Sequence, residues 1–348
     1  MTEKFGEFAT GWGHNSDRTW SERNMEDFVG VSKGGHLMVP SFRPFDYLRA
    51  PNTLVPMLDA TSNRVGVDAP RGAQSTFHRN ADFDEIFFQW AGETTYETEW
   101  GIVTAKPAYI TVIPTGVSHR AIGSANALRM SFRLRDPAEV AVGEDAMVGH
   151  TEYDVTWVGG PDWPVPPGAP SRGTVMESVH TWDDQPGEET LIQRNYERLI
   201  GASTKGRSVH NYRLFDLFTE ITGRRGPGPT SIRNERFFLE CFNSTGAQFA
   251  FHRGNSADEA QFQFQGTADN VSEFGIDKMD SGDMYVVRRG IAHRVIGSPT
   301  YRRMTYYSGD RWTLKCDPAK PPNKTTFKIK ETVLEAAPWR KELETVSV

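Results

Sequence analysis

The 348-residue sequence predicts an all-β protein built as two tandem jelly-roll barrels with a few short helices. Three observations carry that expectation. The chain repeats itself at a fixed offset, each repeat is a series of short β-forming runs broken by turn residues, and each repeat holds the same spacing of His, Glu and His.

The repeat is legible without gaps. FHRNADFDEIFFQWAG, beginning at Phe77, matches FHRGNSADEAQFQFQG, beginning at Phe251, at an offset of 174 residues. The same offset carries Glu99-Trp100-Gly101 onto Glu273-Phe274-Gly275, and Gly116-Val-Ser-His119-Arg120 onto Gly290-Ile-Ala-His293-Arg294. It also carries Arg129-Met130 onto Arg303-Met304. Upstream, Ser41-Phe-Arg-Pro-Phe-Asp-Tyr47 echoes Asn211-Tyr-Arg-Leu-Phe-Asp-Leu217 at an offset of 170, as a change in loop length would produce. Self-similarity at this period marks a duplicated structural unit. Between the copies, Trp157–Pro170 is rich in Pro, Gly and Trp and reads as a linker, so the expected domains are 1–160 and 161–348.

Within a unit the expected strands are Glu85–Trp90, Thr95–Trp100, Tyr109–Ile113 and Leu128–Leu134, separated by Ala91-Gly92, Gly101, Pro114-Thr-Gly116 and Gly123-Ser124. Strands of this length with turns every eight to twelve residues suit a sandwich or jelly roll. Alternation puts Glu85, Phe87 and Gln89 on one face and Ile86, Phe88 and Trp90 on the other. Helical periodicity is confined to Tyr212–Glu220 and the C-terminal tail.

Composition narrows the function. The net charge of −6 argues against nucleic acid or an anionic membrane as the main partner. Cys241 and Cys316 are the sole cysteines, which excludes a disulfide framework or a zinc ribbon and fits a reducing cytoplasm. The charged N-terminus lacks an apolar signal core, and no run is long enough for a transmembrane helix.

The chemistry lies in the duplicated spacing. His78, Glu85 and His119 recur as His252, Glu259 and His293. Two imidazoles and one carboxylate form a facial triad that suits non-haem Fe(II) and leaves three coordination positions open for a substrate and O2. Asp84 and Asp258, one residue before each Glu, are the rival carboxylates; alternation turns them away from the His face. Gln89 and Gln263 share the inward parity of the glutamates, which makes them candidates to hydrogen-bond substrate or O2. Alternation turns Arg79, Arg120, Arg253 and Arg294 outward, toward ion pairs. Phe87, Trp90, Trp100, Phe262, Phe264 and Phe274 read as core.

These spacings resemble the two cupin motifs, G-x5-H-x-H-x3-4-E-x6-G and G-x5-P-x-G-x2-H-x3-N. His78-Arg-Asn80-x4-Glu85-x6-Gly92 and Pro114-Thr-Gly116-x2-His119 match, as do His252-x6-Glu259-x6-Gly266 and Gly282-Asp283-x4-Arg288-Arg-Gly290-x2-His293. The second His of the first motif is Asn80 in one copy and Gly254 in the other, Arg288 replaces the Pro of the second motif, and Pro107 stands for its opening Gly in the first copy. The resemblance implies a bicupin of two double-stranded β-helices. H-R-N followed by an acid resembles the homogentisate and hydroquinone 1,2-dioxygenases over residues 75–135 and 249–309. In the hydroquinone enzymes' large subunit an Asn follows the first ligand His by two positions, as Asn80 does here, which places Asn80 beside the triad as a metal-site residue. The resemblance further implies a cytoplasmic Fe(II) enzyme, with Mn or Ni as weaker choices and O2 as co-substrate. Such an enzyme would open the ring of a hydroquinone-, gentisate- or homogentisate-like phenol. A homodimer, or a smaller partner subunit, is implied as well. Another metal-dependent cupin reaction, or a non-catalytic bicupin, are the alternatives. Motif quality favours the first half as the working site; the homogentisate family favours the second.

Overall fold

A computed structural model describes residues 4–10, 18–24, 39–74, 76–141, 174–184, 190–195, 207–218, 230–242, 246–248 and 251–316. Within them the chain is strand and turn, with single turns of 3-10 helix at Pro44–Tyr47 and Leu214–Phe218. The helical pattern expected from Tyr212 thus yields one such turn, because Leu214 and Phe215 are buried as the chain leaves a strand. The C-terminal tail and the Trp157–Pro170 linker lie outside the described residues.

The chain divides into two compact units, and neither is a contiguous half. One comprises Phe45–Leu214 with Arg233–Glu235; the other comprises Met1–Pro44, Phe215–Ile232 and Arg236–Val348. This differs from a boundary at 160/161. Residues after the linker complete the first barrel, and residues at the N-terminus complete the second. We call these the N-terminal and C-terminal barrels after the motifs they contain.

In the N-terminal barrel one sheet runs His210–Arg213, Tyr109–Ile113, Asp84–Ala91, Leu128–Leu134, Asn63–Asp68, Val55–Asp59. The other runs Gly101–Ala105, Thr94–Thr98, His119–Gly123, Phe77–Asn80, Thr174–His180, Thr190–Asn195. In the C-terminal barrel the first sheet is Thr230–Arg233, Phe237–Phe242, Arg302–Ser308, Asp258–Gln265, Met284–Val287, Ser41–Phe42. Its second is Arg18–Asn24, Lys4–Thr10, Phe251–Gly254, His293–Gly297, Ala268–Ser272, Gly275–Met279. The echo at offset 170 has a structural reason. Ser41–Phe42 pairs with Met284–Tyr285, and His210–Arg213 pairs with Tyr109–Val112, so the two echoing segments fill the same place in different barrels. Lys4–Thr10 and Thr174–His180 correspond likewise, each lying parallel to the strand that carries the first His.

The expected alternation along Asp84–Ala91 holds, but its outer face is also covered: Ile86 and Phe88 are buried, and Trp90 stacks on Phe45 with ring centroids 4.6 Å apart. The motif glycines mark steric limits. At Gly92 (φ +61°) a Cβ would come within 2.7 Å of the Ala127 backbone, and at Gly266 (φ +73°) within 2.9 Å of Thr300. The position equivalent to Gly282 (φ +92°) is Ala108, not Pro107, and Ala108 adopts φ +73°. The fold imposes that backbone on whichever residue occupies the turn.

Candidate metal centres

Each triad bridges the two sheets of its barrel. His78 and His119 sit opposite each other on neighbouring strands, and Glu85 reaches them from the facing sheet. His252, His293 and Glu259 repeat this. In the N-terminal barrel Glu85 Oε2 lies 3.6 Å from His78 Nε2 and 3.3 Å from His119 Nε2. In the C-terminal barrel Glu259 Oε2 lies 3.7 Å from His252 Nε2 and 3.0 Å from His293 Nε2. The imidazole centroids are 4.1 Å apart in both. The donor atoms of each set fall within 4.8 Å of one another.

The residues fit a metal ion on an independent ground. His119 Nδ1 lies 3.0 Å from Val117 O, and His293 Nδ1 lies 3.2 Å from Ile291 O. A proton on Nδ1 satisfies that carbonyl and leaves the Nε2 lone pair pointing at the carboxylate. Both Nε2 atoms are buried without a hydrogen-bond partner. Such an atom is costly to bury unless something binds it. Burial, followed by the neighbouring His119, pushes His78 down to about 3, so its imidazole is neutral and able to ligate at neutral pH. Burial opposes the charge on Glu85, but the His119 and His78 imidazoles against it, with Arg133 nearby, hold its carboxyl well below the usual range. In Glu259, burial is outweighed by the His293 and His252 imidazoles against it.

The neighbours of the triads separate by role. Asn80 donates from Nδ2 to Glu85 Oε2 at 3.0 Å and so orients that carboxylate from beside the triad. Gly254 has no such group; there Gln261 Nε2 donates to Glu259 Oε1 at 2.7 Å. Gln89 and Gln263 occupy the expected face, and their amide nitrogens donate to Ala91 O and Gln265 O at 2.6 and 2.7 Å. Gln89 Oε1 is left without a partner, and each amide keeps a second N–H. Asp84 and Asp258 point away from the metal face, as alternation requires. Asp84 accepts from Thr115 N, Ala138 N and the Arg207 guanidinium, and Asp258 accepts from Arg289 N, Trp312 N and Arg288. Each thereby anchors the loop that delivers the second His. Of the outward arginines, Arg79 pairs with Glu99 and Glu177, Arg120 with Glu97 and Arg253 with Glu7, as expected, and the Arg294 guanidinium lies 5.3 Å over the Phe251 ring.

Two groups escape a linear reading. His180 comes from the strand that completes the N-terminal barrel; its ring lies 5.4 Å from that of His78, edge-on. No spacing in the sequence ties it to the motif, because the adjacency is made by a parallel pairing about a hundred residues downstream. The second group is the barrel floor. Cross-strand pairing puts Arg129, Ser131 and Arg133 opposite Gln89, Phe87 and Glu85, and Arg303, Thr305 and Tyr307 opposite Gln263, Gln261 and Glu259. The alternation of Arg129, Ser131 and Arg133 with Met130, Phe132 and Leu134 was a legible sign of an inward polar face.

No family model and no curated protein matches this sequence. Among solved structures, the chain is similar to a cupin 2 conserved barrel domain protein from Leptotrichia buccalis, at 7% identity and a TM-score of 0.48, covering 81% of this chain and 99% of that one. It is also similar to salicylate 1,2-dioxygenase from Pseudoaminobacter salicylatoxidans (10% identity, 84% and 89% covered, TM-score 0.46). A third is oxalate decarboxylase from Bacillus subtilis (13% identity, 82% and 80% covered, TM-score 0.40). Two facing sheets with a His–Glu–His set between them, twice over in one chain, give this protein the fold of a bicupin. Among the described residues no helix is long and apolar enough to cross a membrane.

Proposed function

We propose that this bicupin is an Fe(II)-dependent dioxygenase that opens the ring of a phenolic aromatic. The observation that supports the reading is the paired triad, each with a buried Nε2 that has no hydrogen-bond partner among the described residues. Two imidazoles and a carboxylate with open positions form the facial set of non-haem Fe(II) oxygenases. The H-R-N run followed by an acid, which resembles the homogentisate and hydroquinone dioxygenases, supports the substrate class, although the acid stands one residue nearer in the hydroquinone enzymes. When bound, iron supplies a point where a phenolate and O2 meet and exchange electrons.

The protein's own part is positioning. Val117 O and Ile291 O fix the tautomers of His119 and His293. Asn80 and Gln261 hold the two carboxylates in orientation. The Phe87–Tyr96 and Phe238–Tyr307 stacks wall the sites against water. Iron analysis of anaerobically purified protein, followed by O2 uptake with a panel of dihydroxybenzenes, tests the reading. Iron should be retained and O2 consumed with at least one of them. Folded protein that binds no iron, or iron protein that consumes no O2 with any member, would sink it.

A further inference from the structure

We infer that the C-terminal barrel is the one that takes substrate, and that Arg303 in its floor binds a carboxylate on that substrate. The reaction rests on the proposed dioxygenase chemistry; the ligand rests on a contrast between two equivalent arginines.

Arg129 and Arg303 occupy the same place, and both are buried. Arg129 is fully matched. Its Nε and Nη2 donate to Asp68 Oδ1 and Oδ2 at 2.8 and 2.7 Å, and its Nη1 donates to Tyr96 Oη at 2.8 Å. Its guanidinium lies 4.0 Å over Phe87. At Arg303 the partners are gone. The residue paired with it across the strand is Phe242, where Asp68 faces Arg129, and Asn270 stands where Tyr96 does. Arg303 Nη1 donates to a neutral oxygen, Gln261 Oε1, at 2.6 Å. Among the described residues no carboxylate lies within ion-pairing distance of it, and its Nε is buried without an acceptor.

Burying a guanidinium without a counter-ion is strongly unfavourable, so the site is completed by something outside the described chain. Other buried polar atoms of this barrel also lack hydrogen-bond partners, among them Asn270 Oδ1, Tyr301 Oη, Thr305 Oγ1 and Glu240 Oε2. Thr305 pairs with Gln261, which holds Arg303, and the Tyr301 ring centroid is 5.7 Å from the Arg303 guanidinium carbon. A planar anion with two acceptor oxygens matches the guanidinium fork and accepts from neighbouring hydroxyls. A phenol ring bearing a carboxylate would therefore present its hydroxyl toward the triad and its carboxylate to the floor. Glu240 is the rival counter-ion, but its carboxylate accepts from Thr230 Oγ1 at 3.3 Å and not from Arg303. In the N-terminal barrel the equivalent arginine is already neutralised, and the Phe87–Tyr96 stack occupies the space.

The test is anaerobic calorimetry on the iron-loaded protein with 2,5-dihydroxybenzoate and hydroquinone, which differ by the carboxylate alone. The wild type should bind 2,5-dihydroxybenzoate about ten- to a hundredfold more tightly. Phe242→Asp, which installs the partner that Asp68 supplies in the other barrel, and Arg303→Gln should each bring that ratio to within about threefold of one. Glu240→Gln should keep it. A wild-type ratio near one, a ratio that survives both Phe242→Asp and Arg303→Gln, or a ratio abolished by Glu240→Gln would overturn the inference. Binding of neither probe would overturn it too. Ring opening of hydroquinone with no carboxylate preference would leave the proposed reaction standing and remove this inference. A carboxylate preference through Arg303 without O2 consumption would do the reverse.

Discussion

Beneath the ligands of the N-terminal barrel lie two stacked rings, Phe87 and Tyr96, and the closed Arg129–Asp68 ion pair. Beneath those of the C-terminal barrel the same strands place Gln261, Asn270, Glu240, Thr305 and Arg303. The ligand sets above the two floors agree closely in their His–Glu distances. The two barrels therefore share the His–Glu–His arrangement and differ in the floor beneath it. A floor whose arginine is neutralised internally holds a barrel together. A floor whose arginine meets no carboxylate among the described residues has its free energy lowered by an anionic ligand.

The sharpest way to break this comparison is to remove one ligand from each barrel. His78→Ala and His252→Ala should each lose the iron of their own barrel. Turnover should fall by about a thousandfold or more in His252→Ala and by less than about tenfold in His78→Ala. Equal losses, measured as O2 uptake per bound iron, would mean that the two floors do not divide the labour. Stability offers the next contrast. Asp68→Asn leaves Arg129 buried without its counter-ion and should cost about 3–5 kcal/mol in denaturant unfolding. Arg303→Gln removes a cation that has no ion pair among the described residues and should cost less than about 1 kcal/mol.

The smallest effect depends on pH. Burial, then the charge of Glu259, raises the Glu240 carboxyl to about 8 from a reference of 4.5. Below pH 4.5 folded and unfolded chains both carry that proton, and no penalty arises. Between 4.5 and about 8 the unfolded chain releases the proton while the folded chain retains it, so metal-free protein loses stability as pH rises through this window. Glu240→Gln should therefore leave stability unchanged at pH 4.5 and raise it near pH 8. The N-terminal barrel has Gly66 at this position, facing Ser131 as Glu240 faces Thr305, so Gly66 can contribute no such slope. A variant whose pH profile follows the wild type would show that Glu240 ionises normally.

Much of the site was written in the chain itself. Fixed spacing and period-2 alternation are local properties, so the repeat, the strands and the inward parity of His78, Glu85, His119 and their copies could be read directly. The same parity separated Glu85 from Asp84 and Glu259 from Asp258. Asn80 was placed at the site, but its bond to Glu85 rather than to a metal depends on the facing sheet. The division into units was not readable, because nothing in Lys4–Thr10 or Thr174–His180 states which barrel each will join; long-range strand pairing decides that. His180 reaches His78 by the same pairing. The sequence determined two matching His–Glu–His sets that could hold a metal, since a short chain segment and its alternation suffice to aim them. The tertiary structure decided how the two barrels differ, since whether Arg129 or Arg303 finds a carboxylate depends on the residue that a neighbouring strand sets opposite it.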